Sequence, residues 1–118
     1  MTPVEPTELV AGAWQLRPWP VAHADLDDVL SERYAADALP REREARLQGW
    51  GRGDLLSFAV REVTTGASVA EVLVVVTPSR HASVAVLART DHLGSRLDAD
   101  VEGVVRRWAV GALGLTVG

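Results

Sequence analysis

The chain has 118 residues, no cysteine and a formal net charge of −4, with 47% hydrophobic and 24% charged residues. That length is one domain, able to bury about two thirds of its unfolded surface, and the balance excludes collagen-like, coiled-coil and disordered classes. All 12 basic residues are arginines, and none gathers with aromatics into a stacking surface, so nucleic acid is not an expected partner.

Without cysteine there is no disulfide frame and no thiolate ligand or nucleophile. The opening MTPVEPTELVAG has neither the basic nor the apolar part of a leader peptide, and no apolar run approaches the ~20 residues that span a bilayer. The expectation is a cytoplasmic protein with no membrane partner.

Residues 1–12, carrying Pro3, Pro6 and Gly12, read as a flexible arm, and residues 13–118 as the domain. AWQLRPW alternates apolar and polar groups and reads as a short strand ended at Arg17-Pro18. From Pro20, Val21, Leu26, Val29, Leu30 and Tyr34 recur at helical spacing opposite Asp25, Asp27, Asp28, Glu32 and Arg33. This predicts one amphipathic helix, stopped by Pro40. REREARLQGW predicts a second helix, capped near Gly49 and Gly51, with the charge run 41–46 as a solvated face.

LLSFAVREV, TTGAS and SVAEVLVVV read as a β-hairpin around Gly66, and the apolar run 72–76 implies a central strand buried on both faces. SVAVLA is a further strand. Leu97, Val101, Val104, Val105, Trp108, Ala112 and Leu113 mark a helix ended by Gly114, after which LTVG starts one more strand, parallel to the last. The fold class is therefore α/β (α+β), in the order β-α-α-β-β-β-α-(β), with a mainly antiparallel mixed sheet.

Between the last full strand and the last helix stands TDHLGSRLDAD. A helix N-terminus with unpaired N–H groups behind a glycine loop is a sensible phosphate site; alternatively Ser95 and Asp98 form a capping box that closes the helix on itself. Asp98, Asp100 and Glu102 mimic the start of a calcium loop, but its twelfth position falls on Ala109 inside a helical pattern, so no metal is expected.

Glu71 interrupts an apolar strand. It either faces a cleft as a general base or pairs with an arginine such as Arg61. His81 and His92 are loop histidines without an identified partner. Trp14, Trp19 and Trp108 read as core, whereas Trp50, between two glycines, is a candidate to line a substrate mouth.

LRPW followed by an acidic helix, then LLSFAVREVTTGASVAEVLVV, a strand, a glycine loop and VVRRWAVGALGL, resembles the GNAT superfamily of acyl-CoA-dependent N-acetyltransferases. The likeness runs over residues 14–117 and is strongest to the branch that acetylates ribosomal-protein N-termini. It implies a mixed sheet flanked by helices, with acetyl-CoA in a V-shaped gap between two splayed strands and an amine as acceptor. Its pantetheine arm would lie along residues 83–88 and its pyrophosphate on the loop that follows. Carried onto this chain, that gives Val86, Leu87, Ala88, Arg89, Gly94, Ser95 and Arg96 as acyl-CoA residues beside Glu71 as catalytic candidate.

This sequence departs from the family pattern at three points. Arg96 stands where a second glycine is expected. Asp98 and Asp100 occupy the first helical turn, and a carboxylate about 6 Å from a phosphate costs roughly 3 kcal/mol at an effective dielectric near 20, against the ~0.3–1 kcal/mol a helix end returns. Beyond LTVG the family's closing strands, and its usual tyrosine acid, have no counterpart. The expectation is a truncated GNAT-like domain with a degenerate loop, acting as an N-acyltransferase or as a non-catalytic interaction module. An open sheet edge would then take a second copy or a partner chain.

Overall fold

The computed structural model describes residues 4–22, 27–90 and 96–118. Its elements run β1 (Leu9–Ala11), β2 (Trp14–Pro18), α1 (Trp19–Ala22), α2 (Asp27–Ser31), α3 (Leu39–Arg52), β3 (Leu55–Glu62), β4 (Ser68–Val76), β5 (His81–Ala88), α4 (Leu97–Gly111) and β6 (Thr116–Val117). They form one six-stranded sheet in sequence order, antiparallel throughout except for the parallel β5–β6 pair. The mixed, mainly antiparallel architecture with flanking helices is the one expected, with one strand more at its start.

That strand is β1, inside the segment expected to be an arm. Gly12 adopts φ +60, a conformation that suits glycine, and with Ala13 folds Leu9–Ala11 back on β2 so that Leu9 faces Leu16 and Ala11 is buried. Within the span expected to be one helix, Trp19–Ala22 and Asp27–Ser31 are helical, and residues 23–26, Leu26 among them, lie outside the described residues. Val29 and Leu30 are buried as the spacing predicts, but Val21 is exposed and Tyr34 lies beyond α2, its N–H donating to the Leu30 carbonyl at 2.9 Å.

Pro40 begins α3 rather than stopping a helix. It sits in the first turn, where a proline's missing N–H has no intrahelical partner to lose. The same helix runs through Gly49 and Gly51 and ends at Gly53, whose φ of 77 lets its N–H close on the Gly49 carbonyl at 2.8 Å.

The β3–β4 hairpin is the one predicted, and its register slips between Val60 and Arg61. The bulge lets consecutive Val69 and Ala70 both be buried. Run 72–76 is not covered on both faces, however: Val72 and Val74 are buried while Val75 is 46% exposed. On the face of Leu56, Phe58 and Val72 packs α4, whose Leu97, Val101, Val105 and Ala109 form a fully buried stripe. Its Trp108 meets Phe58 edge-on, centroids 5.2 Å apart. On the other face of β3 and β4, Ser57 and Glu71 look toward α3.

Candidate functional site

The first component is an open strand edge. β5 pairs with β4 along its length, from Val76↔Ala82 to Ala70↔Ala88, but with β6 only at His81 and Ala82. Among the described residues no strand pairs with the outer edge of β5 over residues 83–88. Gly114, at φ +66, turns the chain from α4 into β6, and Arg106 holds the last residue by donating to the Gly118 carbonyl at 3.2 Å. The result is a strand edge that β6 covers at His81 and Ala82, with α4 packed beside β5. Val86, Leu87 and Ala88 line it half-buried; Val86 stands opposite Val72, and Leu87 opposite Glu71.

At the far end of β5 stand Arg89 and Thr90. The Arg89 N–H donates to the Val69 carbonyl at 2.8 Å and its Nε to Glu32 Oε2 at 3.2 Å. Both the N–H and the hydroxyl of Thr90 donate to Glu32 Oε1 at 3.0 Å. Gly94, Ser95 and His92 lie outside the described residues, and with them the expected glycine turn and the serine of the capping box. Arg96 is exposed at the N-cap of α4, its side chain making no cap, and Asp98 and Asp100 occupy the first turn as expected.

The second component is buried. Glu71 is fully inaccessible, and three residues meet its two oxygens. Arg46 donates from Nε to Oε2 at 2.5 Å and from Nη2 to Oε1 at 3.1 Å; Ser57 Oγ donates to Oε2 at 2.5 Å; Arg33 Nη2 donates to Oε1. Glu42 completes the set, taking Arg46 Nη1 at 3.0 Å on its side chain and 2.9 Å on its carbonyl. The Tyr34 ring lies against both guanidiniums, 5.5 Å from Arg33 and 5.7 Å from Arg46.

Burial alone would push the Glu71 carboxyl up, but the bonds and charge of Arg46, with Ser57 and Arg33, outweigh it and hold the group below the ordinary carboxylate value. Burial likewise opposes the Arg46 charge, and Glu71 and Glu42 more than offset it. The arrangement is an ionised carboxylate held by two cations inside the fold, and its chemistry is positional.

Glu71 thus pairs with arginines, though not with Arg61, whose Nε donates to Gln15 Oε1 at 2.7 Å. The residue the sequence reading missed is Arg46. It belongs to the run 41–46 expected to be solvated, yet it is 2% exposed. A signal existed: a carboxylate inside a buried strand needs a buried cation.

Trp50, the candidate for a substrate mouth, is core. It is 2% exposed, donates its indole N–H to the Ser57 carbonyl at 3.1 Å, and lies 5.4 Å from Phe58 and 6.2 Å from Trp108. Among the described residues, no group of three or more His, Asp or Glu is placed to hold a metal ion, and no helix is long and apolar enough to cross a membrane.

No protein-family model and no curated protein matches the chain. Solved structures do. A protein from Vibrio cholerae assigned as a ribosomal-protein-serine acetyltransferase superposes with a TM-score of 0.74 at 16% identity, covering 99% of this chain and 74% of that one. The chain has the GNAT fold. The ribosomal-protein-S5-alanine acetyltransferase from Vibrio fischeri gives 0.72 at 14% identity over 92% of this chain and 70% of its own. A GNAT-family acetyltransferase from Bacillus anthracis gives 0.63 at 9% identity, over 92% and 69%. With 99% of the chain covered in the first match, β1 lies within the shared GNAT architecture and is not an appendage to it.

Proposed function

We propose that this GNAT fold is an acetyl-CoA-dependent N-acetyltransferase domain, in which an amine nitrogen attacks the thioester carbonyl, the C–S bond breaks, and the thiol leaves with the amine's proton. The observation that supports this reading is the GNAT fold itself, superposable on an acetyltransferase structure over 99% of the chain, with residues 83–88 of β5 beside α4. An extended chain of amides such as pantetheine can hydrogen-bond there as an added strand would. Val86, Leu87 and Ala88 then flank the arm, and Arg89, Gly94, Ser95 and Arg96 belong to the phosphate end. No metal takes part, and the reading carries a cytoplasmic location with it.

Glu71 lies one strand inward, opposite Leu87. A base needs a free lone pair and a pKa near the working pH, whereas this carboxylate is ionised and bonded on both oxygens. Its role here is to hold Arg33 and Tyr34 against the sheet on the acceptor side; acting as the base would first require releasing Arg33. Incubating the protein with acetyl-CoA and peptides bearing free N-termini tests the reading by mass spectrometry. A gain of one acetyl group per peptide supports it, and absence of transfer to every amine offered overturns it.

A second reading is favoured by Asp98 and Asp100, which set two carboxylates at the start of α4 where phosphate would approach. It makes the domain a non-catalytic module, with the edge of β5 taking a strand from a second copy or a partner. Both readings use the same edge and exclude one another. A mass that rises with concentration and falls back on adding acetyl-CoA would show the two ligands competing.

A further inference from the structure

The Glu32 carboxylate has an unusual setting for a side chain one-third exposed. Three donors converge on it from the far end of β5: the Thr90 N–H and hydroxyl, each at 3.0 Å from Oε1, and Arg89 Nε at 3.2 Å from Oε2. The contacts span 57 and 58 residues of sequence, so no local turn dictates them. A backbone N–H, a hydroxyl and a guanidinium aimed at two oxygens of one anion are the donor set that binds a phosphate.

We propose that Arg89 and Thr90 form an anion seat, that Glu32 is its built-in ligand, and that an arriving phosphate group displaces the Glu32 carboxylate. Partial exposure of both Glu32 and Arg89 lets a solute reach the seat without unfolding. The neighbouring Arg33–Glu71 bond is untouched, so displacement frees one side chain while the segment after α2 stays anchored to β4. Consistently, the Thr90 N–H foremost, then its hydroxyl and Arg89, hold the Glu32 carboxyl below its ordinary value.

A seat closed nine-tenths of the time costs an incoming anion about tenfold in apparent affinity. That the phosphate is the one on acetyl-CoA rests on the function proposed above; the seat itself does not. The test is calorimetric titration of the full chain with inorganic pyrophosphate and, separately, with coenzyme A. Glu32→Gln and Glu32→Ala should each bind pyrophosphate about tenfold tighter than the native protein, and Arg89→Gln should bind it more weakly than native. Equal or weaker binding by both Glu32 variants, or no pyrophosphate binding by any of the proteins at millimolar concentration, overturns the proposal. A gain for pyrophosphate without one for coenzyme A upholds the seat and counts against the acetyl-CoA reading alone.

Discussion

Glu71 and Arg46 are 25 residues apart in sequence and meet inside the protein, Nε to Oε2 at 2.5 Å, with the glutamate wholly buried and the arginine 2% exposed. Removing one member of a buried pair leaves the other charged without compensation, which costs about 3–5 kcal/mol. Arg46→Met and Glu71→Leu should each lower the melting temperature by roughly 10–20 °C. The double variant should recover a large part of that loss, since Arg33, 27% exposed, can turn to solvent. Thermal melts of the four proteins check this, and additive losses would contradict it.

The same pair sets the acid limit of stability. The Glu71 carboxyl in the folded chain lies below its ordinary value of 4.5, so between the two values the unfolded chain binds the extra proton. Its contribution is complete above the ordinary value and is lost as pH falls through the folded one. Glu32, held low by Thr90 and Arg89, acts in the same direction. The urea midpoint should therefore stay level from about pH 7 to about pH 5 and decline below, with a shallower decline in Glu71→Gln. Equal slopes in the two proteins would remove Glu71 from the account.

Two glycines of α3 should respond oppositely to a methyl group. A Cβ on Gly49 would lie 2.3 Å from the Leu55 carbonyl oxygen, so helix and strand must part, whereas one on Gly51 meets nothing within 4 Å. Gly49→Ala should cost about 1–3 kcal/mol, and Gly51→Ala should add about 0.5–1 kcal/mol by helix propensity alone. Thermal melts of both variants decide it. Equal effects would mean that α3 does not pack against the start of β3 as described.

Where a pattern is local, the sequence was legible. The Leu97, Val101 and Val105 stripe of α4, the Gly66 hairpin and strand β2 follow from spacing and turn residues. β1 was not, because a three-residue strand exists only through its partner β2. Pro40 reads equally as the stop of one helix or the first turn of the next, and only the position of α3 settles which. At the buried cluster Glu71 stood out as a charge in an apolar strand, but its partner did not. Arg46 shares a charged run with exposed neighbours, and only the docking of α3 on β3, which brings its side chain to Glu71, separates it from them. Trp50 misled for the same reason, its flanking glycines suggesting a mouth where Phe58 and Trp108 enclose it.

The central claim is that the edge of β5 over residues 83–88 takes acetyl-CoA. A thermal melt with and without the compound addresses it most directly. At a hundred times its dissociation constant a ligand adds about 2.7 kcal/mol, so the account predicts a rise of roughly 10 °C for a chain of this size. An unchanged melting temperature at millimolar acetyl-CoA would contradict it.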